Sequence, residues 1–225
     1  ICCKMDQYKR NTNSKNNCPM KKLFLILIIG TLFFSCKKER TFHITAKNAV
    51  TGEPYPGLSY NIERSWSGSF ENKYKTVGSG VLDENGEVYF TKRLHKNSSY
   101  SISVAAPSNT CYMNSSDLHA GGEKNFKAEF EFAGCSYRTL KINNVNCQGP
   151  NDLFDMDMHL VYNQNYTAFS FPEKSGCYSN EFINEKVPAG KWFVEWWVTR
   201  NGNTDYFTDT ITLIENELFV YEINY

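Results

Sequence analysis

The chain has 225 residues, enough for one large or two small domains. Its 24 Lys and Arg balance 24 Asp and Glu, but residues 1–35 hold six of the bases and one of the acids, so Cys36–Tyr225 keeps 18 basic and 23 acidic residues. A mildly acidic region of this kind offers no electrostatic footprint for nucleic acid, and no nucleic-acid partner is expected. Tyr, Phe, Thr and Val dominate the patterned segments and long helical periodicity is absent, which points to an all-β fold.

Lys21 and Lys22 precede an apolar run, Leu23–Phe34, interrupted only by Gly30 and Thr31. As a helix this run would rise about 18 Å, short of the ~30 Å hydrocarbon core, so it reads as a cleaved signal segment and not a membrane span. Phe33-Phe34-Ser35-Cys36 resembles the lipobox of bacterial lipoproteins, with an apolar residue three before a cysteine and a small residue just before it. Phe34 departs from the strict pattern, where a small residue is usual. The resemblance implies cleavage before Cys36 and diacylglycerol on its thiol. The expected partner is then membrane lipid, and the expected location is the cell envelope, at the outer membrane of a Gram-negative bacterium. The alternative is an ordinary secretory signal. Residues 1–19 are polar and precede Met20. They read as a spurious or disordered extension, in which Cys2, Cys3 and Cys18 carry no function. Residues 36–40, through Lys37-Lys38-Glu39-Arg40, read as a lipidated, charged tether.

Beyond the tether the pattern is of short strands. Thr41–Lys47 alternates, with Phe42, Ile44 and Ala46 on one face; Asn48–Gly57 is dense in turn formers. Leu58–Glu63 resumes the alternation, residues 64–73 read as a polar connection, and Tyr74–Leu82 as a strand. Asp83–Gly86 is a tight turn ending in Asn-Gly, the pair favoured where two positive φ angles are needed. Glu87–Thr91, Tyr100–Ala105 and Phe126–Phe132 follow as strands. Gly134–Ser136 reads as a junction. A second set then begins with Leu140 and Ile142, a Gly149-Pro150 turn and a cleanly alternating Phe154–Tyr162. Residues 163–186 read as irregular. Lys191–Arg200, an Asn201-Gly202 hairpin signal, Thr204–Ile214 and Leu218–Tyr225 complete the chain. The expected architecture is two tandem antiparallel β-sandwich domains, residues 41–134 and 136–225.

Three stretches of the first half, Thr51–Gly57 (TGEPYPG), Asp83–Phe90 (DENGEVYF) and Ser99–Val104 (SYSISV), resemble the carboxypeptidase-regulatory-like, or transthyretin-like, β-sandwich. In that family the first motif joins two strands, the second closes a hairpin and the third is a core strand. The resemblance covers residues 41–105 and implies no active site; its members serve as spacers, binding modules and assembly aids. Val187–Trp192 (VPAGKW) followed by a closing hairpin resembles Cna-B-like sandwiches, over the last forty residues.

Four cysteines remain after Cys36: Cys111, Cys135, Cys147 and Cys177. In an oxidising compartment an even count suggests two disulfides, for which three connectivities exist. Cys111–Cys135 and Cys147–Cys177 are favoured, because each closes a loop within one expected domain; free buried thiols are the alternative. No CxxC or Cys/His spacing of a zinc site is present.

Asp155, Asp157 and His159 share one strand face, with Met156, Met158 and Leu160 on the other. Neighbours on such a face are ~6.6 Å apart and the outer pair ~13 Å, so one ion could bridge two of these side chains but not comfortably three. The face reads as the wet side of a sheet, without metal. In Lys191–Arg200, Trp192, Val194, Trp196 and Val198 point one way, toward the core; Phe193, Glu195, Trp197 and Thr199 point the other. Phe193 and Trp197 are the candidate binding residues, stacking a sugar ring or docking a partner, unless a loop such as 163–186 covers them. The four histidines are scattered, and GxSxG, HExxH and P-loop motifs are absent. No catalytic residue and no cofactor are expected. The expected function is a non-catalytic, membrane-anchored envelope module that binds or scaffolds a protein or glycan partner. The alternatives are a carbohydrate-binding accessory lipoprotein using Phe193 and Trp197, or a non-catalytic subunit of an enzyme or transport complex.

Overall fold

The computed structural model describes residues 37–95, 98–115, 118–119 and 124–225. The signal segment and Cys36 lie outside the described residues, which are all-β, with strands and turns but no helix. β1 (Lys37–Asn48) opens the fold and pairs antiparallel with β4 (Glu87–His95). On its other side it pairs parallel with the first half of β8 (Asn125–Asn143), which β6 (Thr110–Ser115) flanks. The second sheet runs in the order β3 (Asn72–Val81), β2 (Ser59–Ser67), β5 (Ser99–Val104), β7 (Leu118–His119). Their inward side chains meet in one buried cluster that includes Phe42, Ile44, Ile62, Tyr100, Ile102 and Phe126. Phe42 stacks on Phe126 with ring centroids 4.7 Å apart.

Several expectations change here. Lys37–Arg40 is the start of β1, not a tether. The alternation of Phe42, Ile44 and Ala46 extends back to Arg40, which is only 1% exposed. Its guanidinium lies 5.3 Å from the Phe126 ring centroid and 5.8 Å from that of Tyr100, so aromatic faces receive the buried charge. The supposed connection 64–73 is mostly strand, with β2 and β3 joined by a short turn. Asp83–Gly86 carries the chain from β3 in one sheet to β4 in the other, and is not a hairpin. Only Gly86 has a positive φ there (66°), and the Asp83 carboxylate accepts the N–H groups of Asn85 and Glu87 at 2.9 and 3.0 Å. A Cβ on residue 86 would sit 2.7 Å from the Ala46 carbonyl oxygen. Asn201-Gly202 does what Asn-Gly is favoured for: both φ angles are positive (50° and 76°), and β12 (Gly190–Arg200) turns directly into β13 (Asn203–Leu213).

β8 runs for 19 residues without a break, so the expected junction at Gly134–Ser136 is buried strand interior. Its second half lies between β11 (Ser179–Pro188), antiparallel, and β14 (Leu218–Asn224), parallel. Through β8 these strands join β1, β4 and β6 in one six-stranded sheet. Apart from the two parallel pairings of β8, the ladders are antiparallel. A further sheet, β10 (Asn163–Ser175), β9 (Leu153–Leu160), β12 and β13 in that order, closes over a second buried cluster that includes Leu140, Ile142, Phe154, Met158 and Trp192. Residues 163–186, read as irregular, are mostly β10 and β11. Bulges in β10 break its period and hide the strand from a pattern search.

The disulfides are Cys111–Cys135, joining β6 to the middle of β8, and Cys147–Cys177, joining the loop after β8 to the turn before β11. Their Cα–Cα distances are 5.0 and 5.2 Å, within the normal range. Contacts across the middle of β8 tie its two ends together. Asn109 donates to Asn216 at 2.7 Å, and the Asn216 N–H donates to the Cys135 carbonyl at 2.8 Å. Tyr112 of β6 packs into the second cluster, 5.1 Å from the Tyr162 ring.

Candidate functional site

β9 and β12 are the two inner strands of the four-stranded sheet, and their alternation gives it two unlike faces. Phe154, Met156, Met158, Leu160, Trp192, Val194 and Val198 point inward and are at most 1% exposed. The Trp192 indole N–H donates to the Pro188 carbonyl at 3.1 Å, so the largest core side chain leaves no polar atom unsatisfied. Trp196 shares this face but is only half-buried at its rim, stacked on Phe207 of β13 with centroids 5.5 Å apart. That corrects its expected place in the core. Trp196 lies opposite Phe207 of the edge strand β13, which is itself exposed.

The outward face is set by register. Phe193 lies opposite His159, Glu195 opposite Asp157 and Trp197 opposite Asp155. On the other side, the same three residues face Thr210, Thr208 and Tyr206 of β13. Directly opposed side chains are the ones that interact across a sheet. The His159 Nε2 and Glu195 Oε1 are 3.0 Å apart, with side chains 23% and 19% exposed. The Tyr206 hydroxyl donates to Glu195 Oε2 at 2.8 Å, and that bond to the carboxylate raises the Tyr206 pKa. One donor atom each from Asp157, His159 and Glu195 lies within 4.8 Å of the others. Asp157 Oδ1 is buried and has no hydrogen-bond partner among the described residues.

Aromatic groups frame this centre. Trp197 leans on Tyr206, with ring centroids 5.3 Å apart, and Phe193 joins His159, Leu160 and Val161 in lining a cleft of about 440 Å³. Phe193 and Trp197 are both half-buried. The segment 163–186 does not lie over them as a loop; β10 pairs with β9 and extends the sheet sideways. Asp155 is at the far end of the row and outside the Asp157–His159–Glu195 cluster. Sequence reading placed Glu195 on the outward face but gave it no role, and it did not single out Tyr206. The signal for Glu195 is its position two residues from both Phe193 and Trp197. The register that brings it to Asp157 is not written in either strand.

No protein-family model and no curated protein matches the chain. Among solved structures it is similar to the minor pilin GBS52 of Streptococcus agalactiae, at 11% identity and a TM-score of 0.34, over 82% of this chain and 94% of that one. It is also similar to the shaft pilin SpaA of Lactobacillus rhamnosus GG (10% identity, TM-score 0.30, 80% and 96% of the two chains). The Streptococcal ancillary pilin aligns at 10% identity and a TM-score of 0.31, over 83% of this chain and 62% of that chain. At such scores the likeness carries no functional information.

Proposed function

We propose that the protein is a non-catalytic, lipid-anchored module of the cell envelope that binds its ligand on the outward face of the β10-β9-β12-β13 sheet. The observation that supports this most is the grouping of Phe193, Trp197 and Tyr206 around the polar centre of Asp157, His159 and Glu195, beside a cleft. Ligand sites combine apolar walls with a few placed polar groups. Aromatic faces suit the apolar side of a sugar ring, and carboxylates and imidazole suit its hydroxyls. A saccharide is therefore the favoured ligand class, and an envelope protein docked on the same face is the other.

The anchor reading rests on the lipobox-like Phe33–Cys36. β1 begins at Lys37, so an acylated Cys36 would place the first sheet at the bilayer with no spacer. Stable anchoring takes more than one acyl chain, at ~0.8 kcal/mol per buried CH₂. Labelling with a palmitate analogue should mark the wild-type protein and not Cys36→Ala; label on the variant would refute the anchor. A glycan array tests the ligand class. Binding that is lost in Trp197→Ala supports a saccharide. An empty array, with crosslinking through the same face to an envelope protein, would replace the saccharide by a protein partner.

A further inference from the structure

We infer that Asp157, His159 and Glu195 form a binding site for a divalent transition-metal ion of the zinc class. The three side chains come from the two inner strands of one sheet. Asp157 and Glu195 are directly opposed, and His159 stands one position further along the same face. Backbone ladders on both sides fix these positions, so the site rests on rigid elements and not on a loop. One donor atom from each residue already lies within 4.8 Å of the other two, and the His159–Glu195 pair is at 3.0 Å. A tetrahedral ion with bonds of ~2.0–2.2 Å holds its donors about 3.3–3.6 Å apart, within reach of small side-chain rotations.

The surroundings support the same reading. Asp157 Oδ1 is buried without a hydrogen-bond partner among the described residues, a cost that a cation would relieve. The Tyr206 hydroxyl holds Glu195 through its other oxygen, leaving Oε1 turned to His159, as an outer partner does for a ligating carboxylate. The donor set is one imidazole nitrogen and two carboxylates. Mg²⁺ and Ca²⁺ prefer oxygen alone; a mixed nitrogen and oxygen set suits Zn²⁺. Three protein ligands leave a fourth position open, and His159 also lines the cleft with Phe193. Binding takes neutral His159 with its single proton on Nδ1 and Nε2 bonded to the ion; an imidazolium releases its Nε2 proton to solvent, and a neutral Nε2–H ring exchanges that proton through solvent for one on Nδ1.

The inference concerns the face of the proposed ligand site but does not depend on a saccharide, and its test contains none. Full-length protein with its disulfides intact and its free thiols alkylated (Cys2, Cys3, Cys18 and Cys36 lie outside the two disulfides) is dialysed against Zn²⁺. The expected result is one equivalent bound, a Zn²⁺-dependent rise in melting temperature, and X-ray absorption showing one imidazole and oxygen ligands at ~2.0–2.2 Å. His159→Gln, Asp157→Asn and Glu195→Gln should each weaken binding by more than the roughly 10–100-fold that losing an outer partner costs. Absence of stoichiometric Zn²⁺ in the wild type would overturn the site. So would folded variants that bind as tightly as the wild type, or an absorption spectrum without a nitrogen ligand, and the last needs no variant at all.

Discussion

The inward and outward faces of β9 and β12 share one backbone and differ by a single residue of phase. Inward, Phe154, Met156, Met158, Leu160, Trp192 and Val194 are sealed; the Trp192 indole N–H meets a carbonyl, and Met158 Sδ accepts from the buried Arg138 guanidinium at 2.8 Å. Outward, Asp157, His159, Glu195, Phe193 and Trp197 are half-buried; His159 and Glu195 bond across the strands, and Asp157 Oδ1 has no hydrogen-bond partner among the described residues. A sheet with one packed and one wet face can place a precise polar group without disturbing its core, because the pleat sends the two sets of side chains opposite ways. The inward set holds the fold together, and the outward set is the one we propose recognises a ligand.

That division predicts a graded series of effects. Trp192→Ala should be the most costly, at ~3–5 kcal/mol, because a fully buried indole leaves a cavity. Denaturant unfolding measures it; a loss below ~1 kcal/mol would mean that the inward face is not a packed core. Next comes the Cys147–Cys177 staple, which bridges 30 residues of sequence from the start of β9's connection to the β10–β11 turn. Replacing both cysteines by Ser should cost about 3.6 kcal/mol by chain entropy, with the outward face of β9 and β12 unchanged. An unaltered midpoint would show that the second sandwich needs no staple.

Alkaline pH probes the inward side differently. Burial pushes the Tyr225 hydroxyl pKa up to about 12 in the folded state, from the ordinary tyrosine value of 10.0, and burial also raises that of Tyr221. The folded state therefore retains protons that the unfolded chain releases. This stabilisation is complete below pH 10 and is lost as pH rises from 10 toward 12. Urea midpoints at pH 9 and pH 11 should fall with pH, and less so in Tyr225→Phe; a flat profile would count against the burial of these rings. At the small end, Lys127 and Glu129 pair on an exposed strand face of the first sandwich, where Lys127 lowers the Glu129 pKa. Glu129→Gln should shift stability by no more than ~0.5 kcal/mol.

Alternation made much of this legible in the chain. The all-β class, the inward set of β9, the two disulfides and the Asn201-Gly202 hairpin were all readable, since each depends on neighbours in sequence or on which loops can close. What was not readable depends on partners far away. Arg40 looked like part of a charged tether because nothing local shows that Phe126 and Tyr100 receive it. Gly134–Ser136 looked like a linker because small residues mark both junctions and crowded strand interiors. Here Gly134 lies in the buried interior of β8, with the flexible end of the Glu215 side chain over it. Asp83–Gly86 carried a hairpin sequence but crosses between sheets, a choice made by the pairing of β3 and β4 with other strands. The Asp157–His159–Glu195 cluster needed the β9–β12 register, which two alternating strands leave open by steps of two.

The central claim, that one residue of phase separates holding from binding, is tested most directly by the thermal unfolding of Trp197→Ala beside Trp192→Ala. Trp197 is half-buried and leans on Tyr206, so its truncation should cost the roughly 0.5–1.5 kcal/mol of an aromatic pair plus a partial burial loss, well short of the Trp192 effect. Trp192→Ala should lose ~3–5 kcal/mol. Equal and large losses in the two variants would make Trp197 part of the core and contradict the account.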